Sequence, residues 1–130
     1  MDSAFSSTGT IPGFSSYHLN SGVAGNTILI VGGIQGDEPG GFNAASLVVT
    51  HYKILSGAVR VVPNLNFPSI IKRSRGLHGD LNRKFDTLNP GDPEFNTIRR
   101  IKKMIVAPEV DIVLNLHDGS GFYSKTHEDK

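Results

Sequence analysis

The chain has 130 residues, a length that fits one domain, and its content of 38% hydrophobic residues is low but workable for a globular core. It has no cysteine, which excludes thiol catalysis, disulfide bonds and thiolate metal sites. A formal charge of +1 gives no electrostatic basis for binding nucleic acid or an anionic membrane, and no segment is long and apolar enough to span a bilayer.

The first predicted elements alternate between strand and helix. Residues 1–13 are expected to be a loose lead-in, and residues 14–19 a short strand. Residues 27–31 (TILIV) form a continuous β-branched and apolar run, which is typical of a strand buried on both faces. A helix is predicted over residues 42–52, with Pro39 near its start, where the missing N–H of proline is not needed.

The remaining elements continue this alternation. Residues 58–62 (AVRVV) are predicted to form the next strand, followed by a long irregular segment over residues 64–89. An irregular segment of that length inside a domain is usually functional or disordered. A helix is predicted from residue 92 or 93 to 104 or 105, and a third core strand over residues 111–116. This order of elements predicts an α/β fold.

Polar side chains follow two of the predicted strands. Gln35 and Glu38 come just after the strand at residues 27–31, and His117 comes at the end of the strand at residues 111–116. Ligands of open α/β sheets bind outside the carboxyl ends of the strands, so these side chains are expected to converge. Three oxygen and nitrogen ligands with a fourth position for water suit a catalytic zinc ion.

A third polar cluster lies in the irregular segment. Arginine side chains can grip a carboxylate with two parallel hydrogen bonds, and an asparagine beside an arginine supplies further donors. The cluster comprises Arg73, Arg75, Asp80, Asn82, Arg83 and Lys84.

Simpler interpretations of these patterns remain open. The glycine-rich turn at residues 32–41 also suits an ordinary strand-to-helix connection or a phosphate loop, although its spacing matches no phosphate motif and its two acids would repel phosphate. Asp37 and Asp118 are also explained as residues that cap or orient their neighbours. The other histidines carry no ligand spacing and are interpreted as surface or core residues: His18, His51, His78 and His127.

Three motifs occur in a definite order within residues 27–123. GGIQGDEPGG resembles the H-x-x-E metal motif of the M14 metallocarboxypeptidases and of the related succinylglutamate desuccinylase/aspartoacylase group. DLNRKF resembles the Asn-Arg pair of these families, and LNLHDG the strand that ends in their last metal ligand. The resemblance implies the N-terminal part of a zinc carboxypeptidase catalytic domain, with a mixed, largely parallel sheet flanked by helices.

The resemblance also implies a role for each matching residue. Arg75 would polarise the scissile carbonyl and stabilise its oxyanion, and Asn82 with Arg83 would hold the terminal carboxylate of the substrate. The zinc ligands would be Gln35, Glu38 and His117.

Gln35 departs from the family pattern, in which this position is histidine. An amide oxygen is a neutral and weaker zinc donor than imidazole, so the site is either decayed or belongs to a variant enzyme. We favour the variant enzyme because every other motif residue is intact. A glutamine here, together with NFPS and HDGSGFY, resembles the cell-shape-determining peptidoglycan DL-carboxypeptidases of helical and curved Gram-negative bacteria. Those periplasmic enzymes trim muramyl tripeptide to dipeptide by releasing terminal meso-diaminopimelate.

The general base of the family is a glutamate from the second half of the domain. We expect it beyond residue 130, because Glu128 lies in a polar terminal stretch and is a poor substitute. The domain is therefore expected to be incomplete in this chain, and the chain alone to be nearly inactive. Two alternatives are an N-acyl amino acid deacylase of the desuccinylase type and a metal-free, non-enzymatic binding module.

Overall fold

The structure is a computed structural model that describes residues 13–119, so the lead-in at residues 1–12 and the positions from 120 onward, including His127 and Glu128, lie outside the described residues. The described part contains four strands, three α-helices and one short 3-10 helix. In chain order these are β1 (Tyr17–Asn20), β2 (Thr27–Val31), α1 (Pro39–His51), β3 (Ala58–Val62), α2 (Phe67–Lys72), the 3-10 helix (Leu81–Arg83), α3 (Phe95–Ile105) and β4 (Ile112–Asn115).

The strands form one sheet in the order β1-β3-β2-β4. β1 is antiparallel to β3, whereas β2 pairs in parallel with both β3 and β4. The prediction of a mixed, largely parallel sheet is therefore confirmed. Val31 at the end of β2 is in register with Asn115 at the end of β4, so the segments after both strands begin at the same edge.

Apolar side chains pack on both faces of the sheet. On one face, Leu29 and Val31 of β2 pack with residues of α3 such as Ile101. On the other face, Ile30 packs with Ala45 of α1 and with β3. Because successive side chains of a strand point to opposite faces, β2 contributes to both clusters. This confirms the prediction of a strand buried on both faces.

Two predictions near the amino terminus need adjustment. β1 covers residues 17–20 rather than 14–19, because Phe14 belongs to the core instead of the sheet. The guanidinium group of Arg100 lies 4.1 Å from the centre of the Phe14 ring and also binds the Phe14 carbonyl oxygen. α1 begins at Pro39, which occupies its first turn, rather than at residue 42.

The prediction of one irregular segment over residues 64–89 is wrong. It contains α2 and the 3-10 helix, and α2 begins after Asn66, whose carbonyl oxygen accepts hydrogen bonds from the N–H groups of Ser69 and Ile70. Ser69 is fully buried. α2 is thus a short helix held by tertiary packing. The polar sequence around it did not predict a helix.

The last two elements also differ from their predictions. α3 begins at Phe95 rather than at residue 92 or 93, since the Asp92 carboxylate accepts the N–H of Glu94 outside the helix. β4 covers only residues 112–115 and lies at the edge of the sheet, where Ile112, Val113 and Leu114 are exposed. Within residues 13–119, β4 is therefore an exposed edge strand rather than the predicted core strand. Within residues 13–119, no helix is both long and apolar enough to cross a membrane.

Candidate active site

The turn after β2 is enclosed by backbone. The N–H groups of Leu65 and Asn66 donate to the carbonyl oxygens of Gly32 and Gly33, at 3.0 and 2.8 Å. Gly33 has a φ of 71°, a conformation that favours glycine. A Cβ atom added to Gly36 would overlap the backbone carbonyl group of Ser69. The chain after β3 therefore fixes the path of this turn.

Gln35 is buried in that turn, with only 1% of its surface exposed. Its side-chain nitrogen Nε2 donates to both carboxylate oxygens of Asp80, at 2.9 Å each. An ionised carboxylate only accepts hydrogen bonds, so this contact fixes which end of the amide faces Asp80. The amide oxygen Oε1 is therefore left for another partner.

Asp80 connects several of the predicted site residues. Its carboxylate accepts from Nε of Arg75 at 2.9 Å and from the backbone N–H of Asn82 at 3.0 Å, in addition to Gln35. Partial burial raises the pKa of Asp80, but these hydrogen bonds and the charge of Arg75 outweigh that effect and bring the pKa below its ordinary value of 3.8. The carboxylate thus stays ionised at neutral pH.

Asp80 belongs to the arginine-rich cluster predicted from the sequence, which indicated no role for it. Its contact with the N–H of Asn82 is a local signal, because aspartate readily binds a backbone N–H two residues onward. Its contact with Gln35 joins residues that are 45 positions apart in the sequence, so no local sequence pattern predicts it.

Glu38 and His117 meet at the edge shared by β2 and β4, as predicted. Oε2 of Glu38 lies 2.8 Å from Nδ1 of His117, and Nε2 of His117 lies 3.0 Å from the side-chain nitrogen of Asn115. Each ring nitrogen of His117 therefore lies within hydrogen-bond distance of a polar side-chain atom. Nη1 of Arg75 is 3.8 Å from Oε1 of Glu38.

These contacts join most of the predicted site into one network. It runs from Gln35 through Asp80 and Arg75 to Glu38, and from there to His117. Arg83 is exposed, and among residues 13–119 its side chain takes no part in the hydrogen bonds or ion pairs of the network. Arg83 shares the 3-10 helix with Asn82, so both lie beside the network.

The residue after Arg83 anchors this segment. Nζ of Lys84 lies 2.8 Å from carboxylate oxygens of both Asp92 and Glu94, and Glu94 is only 3% exposed. Burial lowers the pKa of Lys84, but the hydrogen bonds to the two carboxylates outweigh it and raise the pKa above 10.5. The hydrogen bond from Lys84 also lowers the pKa of Asp92. The 3-10 helix is thereby tied to the start of α3.

A small apolar hollow of about 180 Å³ adjoins the site. It is lined by core side chains and by the amides of Asn82 and Asn115. Because Asn115 also contacts His117, the hollow places Asn82 on the same side of the molecule as the candidate metal ligands.

The side chains of residues 13–119 fit a metal site only if the amide of Gln35 is one of the ligands. Residues 13–119 contain no group of three or more histidine, aspartate and glutamate side chains placed to hold an ion. Glu38 and His117 would supply one oxygen and one nitrogen donor, and the amide oxygen of Gln35 would be the third donor. Oxygen and imidazole nitrogen donors are ligands that zinc accepts. The donor set therefore fits zinc.

Asp118 does cap and orient its neighbours, because its carboxylate accepts the N–H groups of Gly40 and Gly41. Asp37 is exposed. The histidines without ligand spacing lie at the surface where they are described: His18, His51 and His78.

Residues 16–130 match the model of the M99 peptidase family, described as the carboxypeptidase controlling helical cell shape, catalytic region. The product-bound structure of cell shape determinant protein Csd4 from Helicobacter pylori is 45% identical, with a TM-score of 0.83, over 89% of this chain and 29% of that chain. The mDAP-bound form of the same protein, a D,L-carboxypeptidase, is 53% identical, with a TM-score of 0.75, over 80% of this chain and 25% of that chain.

A more distant similarity concerns the fold alone. A succinylglutamate desuccinylase/aspartoacylase from Rhodobacter sphaeroides is 22% identical, with a TM-score of 0.65, over 80% of this chain and 33% of that chain. No curated protein sequence matches. The chain spans about 29% of the length of Csd4, the structure it matches with a TM-score of 0.83.

Proposed function

The chain belongs to the M99 family of carboxypeptidases controlling helical cell shape, and from this membership we propose that it forms part of a zinc-dependent DL-carboxypeptidase acting on peptidoglycan peptides. The proposed reaction trims muramyl tripeptide to dipeptide and releases terminal meso-diaminopimelate. The mDAP-bound and tripeptide-bound structures of the Csd4 protein support this substrate class. A periplasmic location is part of the proposal, since peptidoglycan lies there.

One observation carries the proposal: the continuous network from Gln35 to His117. It brings together residues from the turn after β2, the segment before α3 and the end of β4. Such a convergence of ionisable and amide groups at the carboxyl ends of parallel strands is typical of a ligand site. An ordinary strand-to-helix turn would not need it.

Within this site, we assign each side chain a role that is compatible with its position. Gln35, Glu38 and His117 would hold zinc, and Asp80 orients the amide of Gln35 in the way that outer residues orient metal ligands. When bound, zinc would supply a water of lowered pKa and a Lewis acid for the scissile carbonyl. The identity of the metal rests on the donor set.

Arg75 and Arg83 would contact the substrate. Arg75 is 52% exposed while its Nε is held by Asp80, so its guanidinium group faces both the metal ligands and solvent. From there it would stabilise the oxyanion of the tetrahedral intermediate. The exposed side chain of Arg83, with Asn82, would bind the terminal carboxylate of the peptide. The glutamate that takes the proton of the attacking water is expected beyond residue 130.

A cleavage assay on full-length protein tests the proposal. With zinc present, the protein should release diaminopimelate from muramyl tripeptide, detected by mass spectrometry. Glu38→Ala should lower the rate by more than about 100-fold, since even outer residues of metal sites change activity by about 10–100-fold. Asp37→Ala, an exposed carboxylate in the same turn, is the matched control and should retain activity.

Other outcomes would separate the alternatives. Activity that survives Glu38→Ala would contradict the site assignment. Protein that takes up no zinc would favour a metal-free binding module. Hydrolysis of N-acyl amino acids in place of the tripeptide would favour a deacylase, the activity class of the distant desuccinylase neighbour.

A further inference from the structure

The first turn of α1 is capped by a residue from the other end of the described chain. Glu38 precedes this helix, but its side chain makes no capping hydrogen bond there. Instead, the Asp118 carboxylate accepts the N–H of Gly40 through Oδ2 and the N–H of Gly41 through Oδ1, each at 3.0 Å. Both bonds use N–H groups that have no partner within the helix.

A second contact runs in the opposite direction. The backbone N–H of Asp118 donates to Oε2 of Glu38 at 3.1 Å, the same oxygen that lies 2.8 Å from Nδ1 of His117. Each carboxylate therefore binds backbone of the other segment. We refer to this reciprocal arrangement of Glu38, Gly40, Gly41 and Asp118 as the clasp.

The clasp depends on two glycines. A Cβ atom added to Gly40 would overlap the Asp118 carboxylate. A Cβ atom added to Gly41 would lie 2.5 Å from the carbonyl oxygen of Leu116, just before His117. Only glycine lets the start of α1 approach the end of β4 this closely. The Gly-Gly pair thus has a specific partner in Asp118.

We propose that Asp118 is a positioning residue for the metal site, which it preorganises by holding Glu38 and His117 at their meeting point. This inference rests on the proposed function, in which those two residues bind zinc. They come from segments 79 residues apart. If the clasp did not hold these segments together, zinc binding would have to order them, and the free energy of that ordering would lower the affinity. Asp118 itself is not one of the metal ligands in this assignment.

The test measures zinc affinity of full-length protein by competition with a chromophoric chelator. Asp118→Ala should weaken zinc binding by about 10–100-fold, the range seen when outer residues of metal sites are changed. Asp37→Ala removes the same charge from a residue next to Glu38 but breaks no clasp contact. Its affinity should stay within about twofold of wild type, because an exposed charge acts weakly on its neighbours.

A second variant breaks the clasp from the other side. Gly40→Ala should weaken zinc binding to a similar extent, and the double variant Asp118→Ala/Gly40→Ala should be little weaker than either single variant, because both remove one interaction. Circular dichroism of the apo-protein verifies that each variant is folded. If the alanine variant does not fold, Asp118→Asn takes its place, since it keeps the side-chain size while losing one of the two acceptor oxygens. It should bind zinc at least about fivefold more weakly than wild type.

The outcomes separate this inference from the proposed function. Wild-type protein that binds zinc, with equal affinities in the Asp118→Ala and Asp37→Ala variants, would overturn the role of Asp118 and leave the proposed function intact. Wild-type affinity in folded Asp118→Asn would overturn it as well. Wild-type protein that binds no zinc would overturn both.

Discussion

The two halves of the candidate site are fixed in different ways. The glycine turn, residues 32–41, is held by backbone packing, with Gly36 in close contact with the carbonyl group of Ser69. The arginine segment, residues 73–84, is held by charged side chains, chiefly those of Asp80 and Lys84. The first half should therefore be sensitive to added volume and the second to lost charge. Three substitutions test this contrast, from the largest expected effect to the smallest.

Gly36→Ala adds one methyl group to the glycine turn. Because that group would overlap the backbone of α2, we expect the free energy of unfolding to fall by more than about 3 kcal/mol, at the upper end of overpacking effects. Urea denaturation of full-length protein measures this loss. Gly119→Ala is the control, since a Cβ atom there meets no other atom of residues 13–119 within 4 Å. Equal losses of the free energy of unfolding in Gly36→Ala and Gly119→Ala would show that added side-chain volume at residue 36 does not destabilise the glycine turn.

Lys84→Met removes the charge that anchors the arginine segment while keeping a long side chain. It leaves the carboxylates of Glu94 and Asp92 without their shared cation, so we expect the free energy of unfolding to fall by about 2–3 kcal/mol, less than for a fully buried pair. Lys72→Met, an exposed lysine in α2, should have little effect. A loss no larger than that of Lys72→Met would contradict the anchoring role.

Asp80→Asn tests the pH dependence of the arginine segment. The pKa of Asp80 is below 3.8 in the folded protein, so its ionised form stabilises the fold at pH values above 3.8. This stabilisation is lost as the pH falls through the folded pKa. At neutral pH we expect the variant to be less stable by about 1–2 kcal/mol, with the difference shrinking in acid. Denaturation at several pH values down to about 2 measures it, and a pH-independent difference would contradict the assignment.

Sequence patterns were most informative for residues whose structure is determined by neighbours close to them in the sequence. β2 and β3 agree with their predictions because each is a short run rich in apolar and β-branched residues. The meeting of Glu38 and His117 follows from a general property of parallel strands, whose carboxyl ends share an edge. The fold class and the meeting of Glu38 with His117 were therefore predictable from sequence alone.

What the sequence did not reveal depends on distant contacts. α2 lies in a polar segment and owes its place to the burial of Ser69 against the turn after β2. Asp80 orients a glutamine 45 residues away. β4 has the apolar composition of a core strand, yet its position at the edge of the sheet leaves its side chains exposed. None of these contacts produces a local pattern.

The parallel pairing of β2 with β4 has a consequence for the order of folding. Thr27 and Asp111, joined by a hydrogen bond at the start of this pairing, are 84 residues apart, whereas β3 pairs with β2 much closer along the chain. Because closing a longer loop loses more chain entropy, we expect β4 to pair with β2 after β3 has done so. His117 and Asp118 follow β4, so they would reach Glu38 only in that later step. Zinc would then bind after β4 has paired with β2 rather than nucleate that pairing.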